Sequence, residues 1–359
     1  MLAVYVSGHG FGHATRTAEV LRLVREMAPG LPIVVSTAAP AFLFEEVIVP
    51  PLEVRRVAAD VGLVQKDALV IDEEGTAAAW RAYRVGWDDL VAAEARWLRE
   101  AGARLVLGDI PPLAFAAADA AGVPAIALGN FSWDWIYGHL ARRHPALEPA
   151  ASWAAAAYAK ADLLLRLPFA GDLPAFRRIE PLPMVARRPA VERSVARKRL
   201  GLDAQLAVLL SFGGIGLPGL RASSFADPRF QYLLTGLEVG DAAGTARSLD
   251  SKGLRSLGLD YPDLVGAVDV VVTKPGYGMV SDCIGARTRL VYTERGDFPE
   301  YPVMVEEMPR YLPAVHVANA DLREGRVGPA LERVLALPWP DPPRLDGARV
   351  AAKRLLEGL

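Results

Sequence analysis

Short apolar runs alternate along the chain with longer segments in which apolar residues recur every three or four positions. The first run is Leu2–Val6, and residues 14–27 after it place alanine, leucine, valine and methionine at helical spacing. The same alternation continues through the apolar runs 105–108, 125–128 and 163–167. Strands that are apolar along their whole length and are separated by helices predict a parallel sheet covered on both faces.

Five prolines between residues 168 and 190 interrupt this pattern, and a second set of alternating elements follows them. The strands of this second set are expected at 206–211, 268–273 and 290–293, and a helix is expected at 329–337. We therefore predict a first α/β domain over 1–167, a linker over 168–190, a second α/β domain over 191–340, and a C-terminal segment, 341–359, whose helix could pack back on the first domain.

Two segments carry predictions of their own. Residues 80–101 keep an amphipathic pattern throughout, and we predict one long helix that ends at Gly102. Residues 224–260 have no regular pattern of apolar positions, and we predict an irregular segment there.

Composition agrees with two domains and limits the classes of function. The 359 residues suffice for two domains of about 100–200 residues each, and 52% hydrophobic with 23% charged residues is typical of globular proteins. The formal net charge of −2 gives no electrostatic reason to expect nucleic acid as a partner. Peripheral contact with a membrane stays open.

Cys283 is the only cysteine, so neither an intrachain disulfide nor a thiolate cluster for zinc is expected, and we predict a small buried apolar residue there. No signal peptide is recognisable at the N-terminus, and no run of about 18 apolar residues predicts a membrane-spanning helix. The expected location is the cytoplasm.

The densest candidate chemistry follows the first strand, where residues 7–16 read Ser-Gly-His-Gly-Phe-Gly-His-Ala-Thr-Arg. Gly10 and Gly12 allow a tight turn at a helix start, where free N–H groups attract negative charge. His9 or His13 could accept a proton from a hydroxyl group at neutral pH. The alternative is a glycine turn chosen for packing, with a histidine that caps the helix.

Two glycine-rich turns follow strands of the second domain. Gly213 and Gly214 come directly after the run 206–211, and a phosphate or ribose could approach the backbone there. Residues 273–282 read Thr-Lys-Pro-Gly-Tyr-Gly-Met-Val-Ser-Asp, with a helix expected to start near Met279. The start of this helix is an anion site suited to a diphosphate. Its candidate binding residues are Lys274, Gly276, Tyr277, Gly278 and Ser281.

Polar residues also follow three further strands. The loop 294–301 is acidic and could accept hydrogen bonds from sugar hydroxyls, or could be an ordinary exposed loop. Asp109 could orient a histidine or pair with the acceptor. Asn130, Trp133 and Asp134 are candidates for the acceptor side, where aromatic rings can stack on sugars but can equally belong to the core.

These motifs resemble the glycosyltransferase-like N-terminal region of plant L-arabinokinases and related bacterial proteins, over nearly the whole chain. The likeness rests on the segment 7–16, on Asn-Phe-Ser-Trp-Asp at 130–134 and on Lys-Pro-Gly-Tyr-Gly at 274–278. More distantly, the pattern is similar to MurG and monogalactosyldiacylglycerol synthase. The resemblance implies the GT-B fold, in which two Rossmann-like domains face each other across a cleft.

The same resemblance implies how the two domains divide the work. The second domain would hold a nucleotide-diphosphate sugar, and the first would hold the acceptor beside His9 or His13. The donor-side positions that match the family are Gly213, Gly214, Gly276, Gly278, Ser281 and Glu300. Enzymes of this kind need no bound metal, because the amides of a helix start stabilise the departing diphosphate. No cofactor is expected beyond the sugar nucleotide itself.

The sequence therefore predicts a glycosyltransferase that inverts the anomeric centre, with the linker acting as a hinge for domain closure. Two alternatives stay open: a nucleotide-sugar 2-epimerase, and a protein that binds nucleotide sugars without catalysis. The acceptor and the nucleobase of the donor are not identified by the sequence.

Overall fold

The computed structural model describes residues 1–66, 69–202, 204–212, 220, 224–236 and 246–359. The candidate donor-side residues Gly213 and Gly214 lie outside these described residues. The chain divides into two compact units. The first unit contains Met1–Val64, Ile71–Val185 and Arg344–Leu359, and the second contains Gln65–Val70 and Ala186–Pro343.

Within the described part of the chain, the first unit is built on a parallel sheet of seven strands. Its strands are β1 (Leu2–Val6), β2 (Ile33–Thr37), β3 (Leu52–Arg56), β4 (Leu105–Asp109), β5 (Ala125–Gly129), β6 (Leu163–Arg166) and β7 (Ile179–Pro181). They lie in the order β3-β2-β1-β4-β5-β6-β7, so the direction of strand addition reverses between β1 and β4. Ligands of such sheets bind beyond the carboxyl ends of the strands at this reversal.

Helices flank the first sheet, and the layer between them is apolar. They are α1 (Phe11–Met27), α2 (Phe42–Glu45), α3 (Glu73–Val85), α4 (Trp87–Glu100), α5 (Pro112–Ala121), α6 (Trp133–Ala141) and α7 (Glu148–Tyr158). Helix α5 packs tightly on β4, because a side-chain carbon on Gly108 would lie only 2.5 Å from the Phe115 ring. Glycine at this position therefore lets the helix approach the strand that carries Asp109.

The second unit repeats this architecture with a parallel sheet. Its strands are β8 (Leu206–Ser211), β9 (Phe230–Thr235), β10 (Ala246–Ser248), β11 (Val270–Thr273), β12 (Arg289–Tyr292) and β13 (Ala314–His316). The order among the described residues is β10-β9-β8-β11-β12-β13, which reverses between β8 and β11. The helices are α8 (Arg193–Arg199), α9 (Ser251–Ser256), α10 (Tyr261–Ala267), α11 (Tyr277–Ala286), α12 (Glu300–Glu307), α13 (Asn319–Arg323) and α14 (Gly328–Ala336).

The short segment Gln65–Val70 belongs to the second unit, although residues of the first unit enclose it in sequence. Leu69 is buried in the hydrophobic core of the second unit, in one cluster with Val208 and Val291. A side-chain carbon on Gly296 would lie 2.6 Å from the Leu69 carbonyl oxygen. Since the φ angle of Gly296 is also +64°, glycine is required there for two independent reasons.

The C-terminal segment contributes a helix, α15 (Gly347–Glu357), to the first unit. This helix packs against α1, and Arg349 contacts Glu26 on that helix over 3.2 Å. The first residue of α15, Gly347, is packed closely against the backbone at Pro183. A side-chain carbon on Gly347 would lie 2.1 Å from the Pro183 carbonyl oxygen.

The segment 168–190, predicted as a linker, is divided between the two units. Its strand β7 pairs with β6 at the edge of the first sheet. Arg187 belongs to the second unit, where its guanidinium is paired with the Asp282 carboxylate of α11. Regular hydrogen bonding therefore continues into residues whose prolines suggested a break.

Two predictions about single segments are wrong. The long helix expected over residues 80–101 is two helices, α3 and α4, because Gly86 ends the first helix and precedes the second. The stretch 224–260 contains β9, β10 and α9 rather than an irregular segment. The α9 start is set by Asp250, whose carboxylate accepts a hydrogen bond from the Gly253 N–H at 2.6 Å.

The predicted fold class is confirmed, since both units are α/β and both sheets are parallel. Cys283 is fully buried, as the sequence predicted. Of the helices that the structure describes, none combines the length and the apolar character required to cross a bilayer.

Candidate active site

The glycine- and histidine-rich segment lies at the reversal point of the first sheet. It follows β1, whose last residue, Val6, is in register with Asp109 at the end of β4. The Ser7 N–H donates a hydrogen bond to the Asp109 carbonyl oxygen over 3.1 Å. Folding therefore brings together two motifs that are about one hundred residues apart in sequence.

Helix α1 starts directly inside this segment. Gly10, just before its first residue, Phe11, has a φ angle of 83°, which favours glycine. Among the described residues no side-chain cap is formed at this helix start, where the first N–H groups have no partner within the helix. Gly10 and Gly12 add no side chains that would obstruct this helix start.

His13 sits in the first turn of α1 and contacts the carboxylate of Asp109. Its Nδ1 atom lies 2.8 Å from Oδ1 of Asp109. Arg16 approaches the same carboxylate with two nitrogens, Nε at 2.8 Å from Oδ2 and Nη2 at 2.5 Å from Oδ1. Thr17 adds a hydroxyl donor at 2.6 Å from Oδ2. All four side chains are buried.

The charge of Asp109 is set by these neighbours. Burial alone would raise the pKa of Asp109, but the Arg16 guanidinium and His13 outweigh it and hold that pKa well below its usual range. Asp109 is therefore ionised and can only accept hydrogen bonds, which favours the neutral His13 tautomer with its proton on Nδ1. Arg16 Nη2 carries two hydrogens; it donates to the carboxylate and also lies 3.0 Å from the same Nδ1.

Asn130 and Tyr158 support this cluster from behind. Arg16 donates from Nη1 to Oδ1 of Asn130 over 2.8 Å, and Asn130 is fully buried. Ile110, which follows Asp109, has a φ angle of 71°, an unfavourable conformation for a β-branched residue. The Tyr158 hydroxyl donates to the Ile110 carbonyl oxygen over 2.7 Å and so holds this strained turn.

Trp133 and Asp134, both predicted on the acceptor side, begin α6. Trp133 is fully buried and meets Phe131 edge to face, with ring centres 5.3 Å apart. The structure therefore supports the core alternative for this ring rather than stacking on a sugar. Asp134 lies in the first turn of α6, and burial raises its pKa.

Asp60 is a member of the site that the sequence did not reveal. The Trp133 Nε1–H donates to its Oδ2 over 2.8 Å, and the Ser7 side chain and the Gly8 N–H also bond to this carboxylate. Burial raises the pKa of Asp60 above its usual value in spite of these donors. No sequence signal pointed to Asp60, because it follows the half-exposed strand β3, which lacks a clear apolar pattern.

In the second unit, the expected donor loop follows β11 at the other reversal point. Helix α11 starts at Tyr277, two residues before the predicted Met279, and Gly276 precedes it without a side-chain cap. Lys274 is partly exposed at the end of β11. Ser281 is buried, and its hydroxyl donates to the Gly278 carbonyl oxygen over 3.0 Å, within the helix itself.

Glu300 is buried and paired with Arg295, a residue that the sequence did not single out. Arg295 Nη1 lies 2.7 Å from Oε2 of Glu300, and its guanidinium lies over the Phe298 ring, 3.9 Å from the ring centre. A side-chain carbon on Gly276 would lie 3.9 Å from the same Nη1. The cation therefore stands beside the start of α11, and Glu300 holds it there.

Two comparisons with known proteins agree with this architecture. No family model matches the chain. L-arabinokinase of Arabidopsis thaliana is 32% identical over 364 residues, which cover 99% of this chain and 34% of that protein, so the chain spans about a third of its relative. An uncharacterised glycosyltransferase of Methanopyrus kandleri is 26% identical over 278 residues, covering 72% of this chain and 76% of the relative.

Among solved structures, the glycosyltransferase VinC in complex with dTDP matches 99% of this chain and 94% of its own, with a TM-score of 0.57 at 14% identity. At this identity the likeness concerns the fold, which is GT-B. The resemblance to L-arabinokinase that the sequence motifs suggested is confirmed over nearly the whole chain.

Proposed function

We propose that this chain, which is related to a part of L-arabinokinase and has the GT-B fold, is a glycosyltransferase that moves a sugar from a nucleotide-diphosphate sugar to a hydroxyl acceptor. The observation that carries the proposal is the buried contact between His13 and Asp109 at the carboxyl edge of the first sheet. Similarity to the glycosyltransferase of Methanopyrus kandleri supports the activity, and the VinC complex with dTDP supports a nucleotide diphosphate as the leaving group.

In this reaction His13 is the general base. Its Nε2 atom accepts the proton of the acceptor hydroxyl while the hydroxyl oxygen attacks the anomeric carbon of the donor. The bond from that carbon to the diphosphate oxygen breaks, and its electron pair leaves with the nucleotide. Attack opposite the leaving group inverts the anomeric centre. A positioned base of this kind contributes about 10²–10⁴-fold to a rate.

Asp109 and Arg16 prepare His13 for this role. The ionised Asp109 accepts from Nδ1, which leaves Nε2 to take the proton, and it stabilises the imidazolium that then forms. Arg16 keeps the pKa of Asp109 low, so the proton stays on the imidazole and is not passed to the carboxylate. The proton on the imidazole is finally released to solvent.

The second unit receives the departing diphosphate in this proposal. The uncapped start of α11 supplies backbone N–H groups, and the Arg295 guanidinium beside Gly276 supplies a positive charge. These groups stabilise the negative charge that develops on the leaving oxygen. The proposal therefore includes neither a bound metal nor a resident cofactor. The cytoplasm remains the expected location.

Asp60 favours one second candidate, a nucleotide-sugar 2-epimerase. Such an enzyme needs a carboxyl group that can hold and release a proton close to the donor sugar. Burial raises the pKa of Asp60 while the pKa of Asp109 is lowered, and two carboxyl groups separated in this way can serve as acid and base. An epimerase would convert the donor sugar without any acceptor.

The first experiment is a thermal-shift screen of the whole chain against UDP-, GDP-, dTDP- and CMP-sugars and the free nucleotides. A ligand that binds the folded state raises the melting temperature by mass action. The sugar nucleotide that binds is then incubated with a panel of hydroxyl acceptors, and nucleotide release is measured.

Each outcome of this experiment favours one reading. Acceptor-dependent release supports the transferase, conversion of the donor sugar without an acceptor supports the epimerase, and binding without either reaction supports a non-catalytic binding protein. A chain that binds none of these nucleotides contradicts all three.

A further inference from the structure

His9 is held on one side by the loop that follows β3. The Leu63 N–H donates a hydrogen bond to Nδ1 of His9 over 3.4 Å. Gly62 is so close that a side-chain carbon there would lie 2.8 Å from the same Nδ1. On another side the ring meets Trp133 edge to face, with ring centres 5.3 Å apart. The imidazole is thus oriented with Nδ1 towards the backbone of residues 62 and 63.

The backbone that contacts His9 is itself firmly supported. The Tyr137 hydroxyl donates to the Gly62 carbonyl oxygen over 2.9 Å, and Trp133 donates to Asp60 two residues earlier. Tyr137 and Trp133 stack with ring centres 5.8 Å apart. Gly62 has a φ angle of +66°, which turns the chain so that the next N–H faces His9.

This arrangement fixes the proton of the neutral His9 ring. A backbone N–H can only donate, so Nδ1 of His9 must be the unprotonated nitrogen and Nε2 must carry the hydrogen. We propose that His9 donates a hydrogen bond from Nε2 to a substrate oxygen and is not the base. The catalytic meaning of this inference rests on the proposed transfer, but the tautomer itself does not.

His13 has the opposite arrangement. Its Nδ1 faces both the ionised Asp109, which can only accept, and Arg16 Nη2 at 3.0 Å; the shorter contact with the carboxylate favours hydrogen on Nδ1, with Nε2 as the accepting atom. Two histidines that were equivalent candidates in the sequence therefore receive different roles. His13 takes a proton from the acceptor hydroxyl, and His9 binds a lone pair of an oxygen on a substrate.

The oxygen that His9 contacts belongs either to the diphosphate of the donor or to the acceptor. Both offer the same chemistry, a lone pair on a phosphate or hydroxyl oxygen. Measurements of nucleotide affinity and of the acceptor KM distinguish these two sources of the oxygen. A diphosphate contact predicts weaker binding of the free nucleoside diphosphate by His9→Ala, and an acceptor contact predicts a higher acceptor KM at unchanged nucleotide affinity.

The tautomers are tested by NMR on the whole chain labelled with ¹⁵N in its histidine rings, at a pH where the imidazoles are neutral. The chain contains five histidines, so single His→Gln variants assign the signals. We expect the Nε2–H form for His9 and the Nδ1–H form for His13. The Nδ1–H form, or an equal mixture, at His9 overturns the inference, whether or not the chain proves to be a transferase.

A second experiment measures binding and activity of variants in which His9 is replaced by glutamine or asparagine. The side-chain amides of these residues imitate different nitrogens of the imidazole ring. The terminal N–H of glutamine occupies the place of Nε2–H, and that of asparagine occupies the place of Nδ1–H. Loss of one hydrogen-bond donor should change Kd or KM by about tenfold in His9→Ala. His9→Gln should restore most of this loss and His9→Asn should not. Equal restoration by both amides, or an acid limb of the pH–rate profile that disappears in His9→Gln, contradicts the donor role.

Gly62→Ala provides a second test of the supporting loop. The added carbon would meet the His9 ring, and the φ angle is unfavourable for alanine. We expect the His9 signal to shift towards a mixture of tautomers while the His13 signal stays unchanged. An unchanged His9 signal in a folded Gly62→Ala variant would show that residues 62 and 63 do not set the tautomer.

Discussion

Nδ1 of His13 lies 2.8 Å from Oδ1 of Asp109, inside a cluster that is closed to solvent on the side of the carboxylate. The chain therefore selects the tautomer and the orientation of this imidazole before any substrate binds. In the proposed transfer this preorganisation is the main contribution of the first unit, since the base needs no rearrangement at the moment of reaction.

Asp109→Asn should lower kcat by about a hundredfold or more, because an amide no longer favours hydrogen on Nδ1 or stabilises the imidazolium. Affinity for the nucleotide should stay within about threefold, since Asp109 is not among the residues proposed to bind the donor. Steady-state kinetics and calorimetric titration with the nucleotide check both parts. A changed nucleotide affinity at a normal kcat would remove Asp109 from the mechanism.

His13→Ala should abolish turnover at saturating substrates while nucleotide affinity stays within about threefold. The matched control is His139→Ala, in the last turn of α6. If the control keeps its rate and His13→Ala loses nucleotide affinity rather than kcat, His13 binds the donor and is not the base.

Stability should depend on pH through Asp109. Its folded pKa lies below the unfolded value of about 3.9, so its ionised form stabilises the fold above about pH 4. This contribution is lost as the pH falls towards the folded pKa. Urea unfolding of the wild type and of Asp109→Asn between pH 7 and pH 3 measures it. The difference in the free energy of unfolding between the wild type and Asp109→Asn should shrink below about pH 4. A difference that stays constant with pH would exclude ionisation of Asp109 as its cause.

The sequence predicted the fold class because both sheets are parallel and their central strands are apolar on both faces. β1 and β11 could be identified from composition alone. Strand β3 could not, since its residues are half-exposed at the edge of the sheet and their types alternate without a buried face. The division of the helix at Gly86 was also missed, because the amphipathic pattern continues across the glycine.

The sequence located the loops of the candidate site and offered Asp109 as a residue that could orient a histidine, but it did not show which histidine. His13 and Asp109 were both candidates, and their contact depends on the register of β1 with β4, which no local pattern encodes. Asp60 was missed for the same reason, since its partner Trp133 is distant in sequence. Arg295 lies within the loop 294–301 that the sequence indicated, but its contact with Glu300 depends on how that loop folds.

The effects on stability of substituting Arg295 and Glu300 should depend strongly on each other, because the two side chains form an ion pair. Arg295→Gln leaves the buried Glu300 without this counterion, which typically costs about 3–5 kcal/mol, and Glu300→Gln should cost less because Arg295 is partly exposed. The double variant should cost less than the sum by about 1–3 kcal/mol. Urea unfolding of all four proteins measures this.

The control for this prediction is the pair of Arg326 and Asp321, which has the same 2.7 Å separation but is about half exposed. Arg326→Gln should change stability by less than about 1 kcal/mol. Additive effects at Arg295 and Glu300 would mean that the two side chains do not depend on each other.

Gly347→Ala should destabilise the first unit, because the added carbon would lie 2.1 Å from the Pro183 carbonyl oxygen at the start of α15. We expect a loss of about 1–3 kcal/mol in the free energy of unfolding. Gly86→Ala is the matched control, since no atom of the described residues lies within 4 Å of its added carbon. Chemical denaturation compares the two, and equal effects would show that the close contact of Gly347 does not constrain α15.

The discontinuity of the two units has a consequence for the gene. A cut at residue 185 would separate the first unit from α15, and it would leave Leu69 on a fragment without the core in which it is buried. Recombination with a related gene at a single crossover would in the same way combine α15 or Leu69 from one parent with the rest of its unit from the other parent. If the proposed transfer is correct, donor and acceptor preferences are therefore expected to change by substitution within one inherited chain rather than by exchange of whole halves.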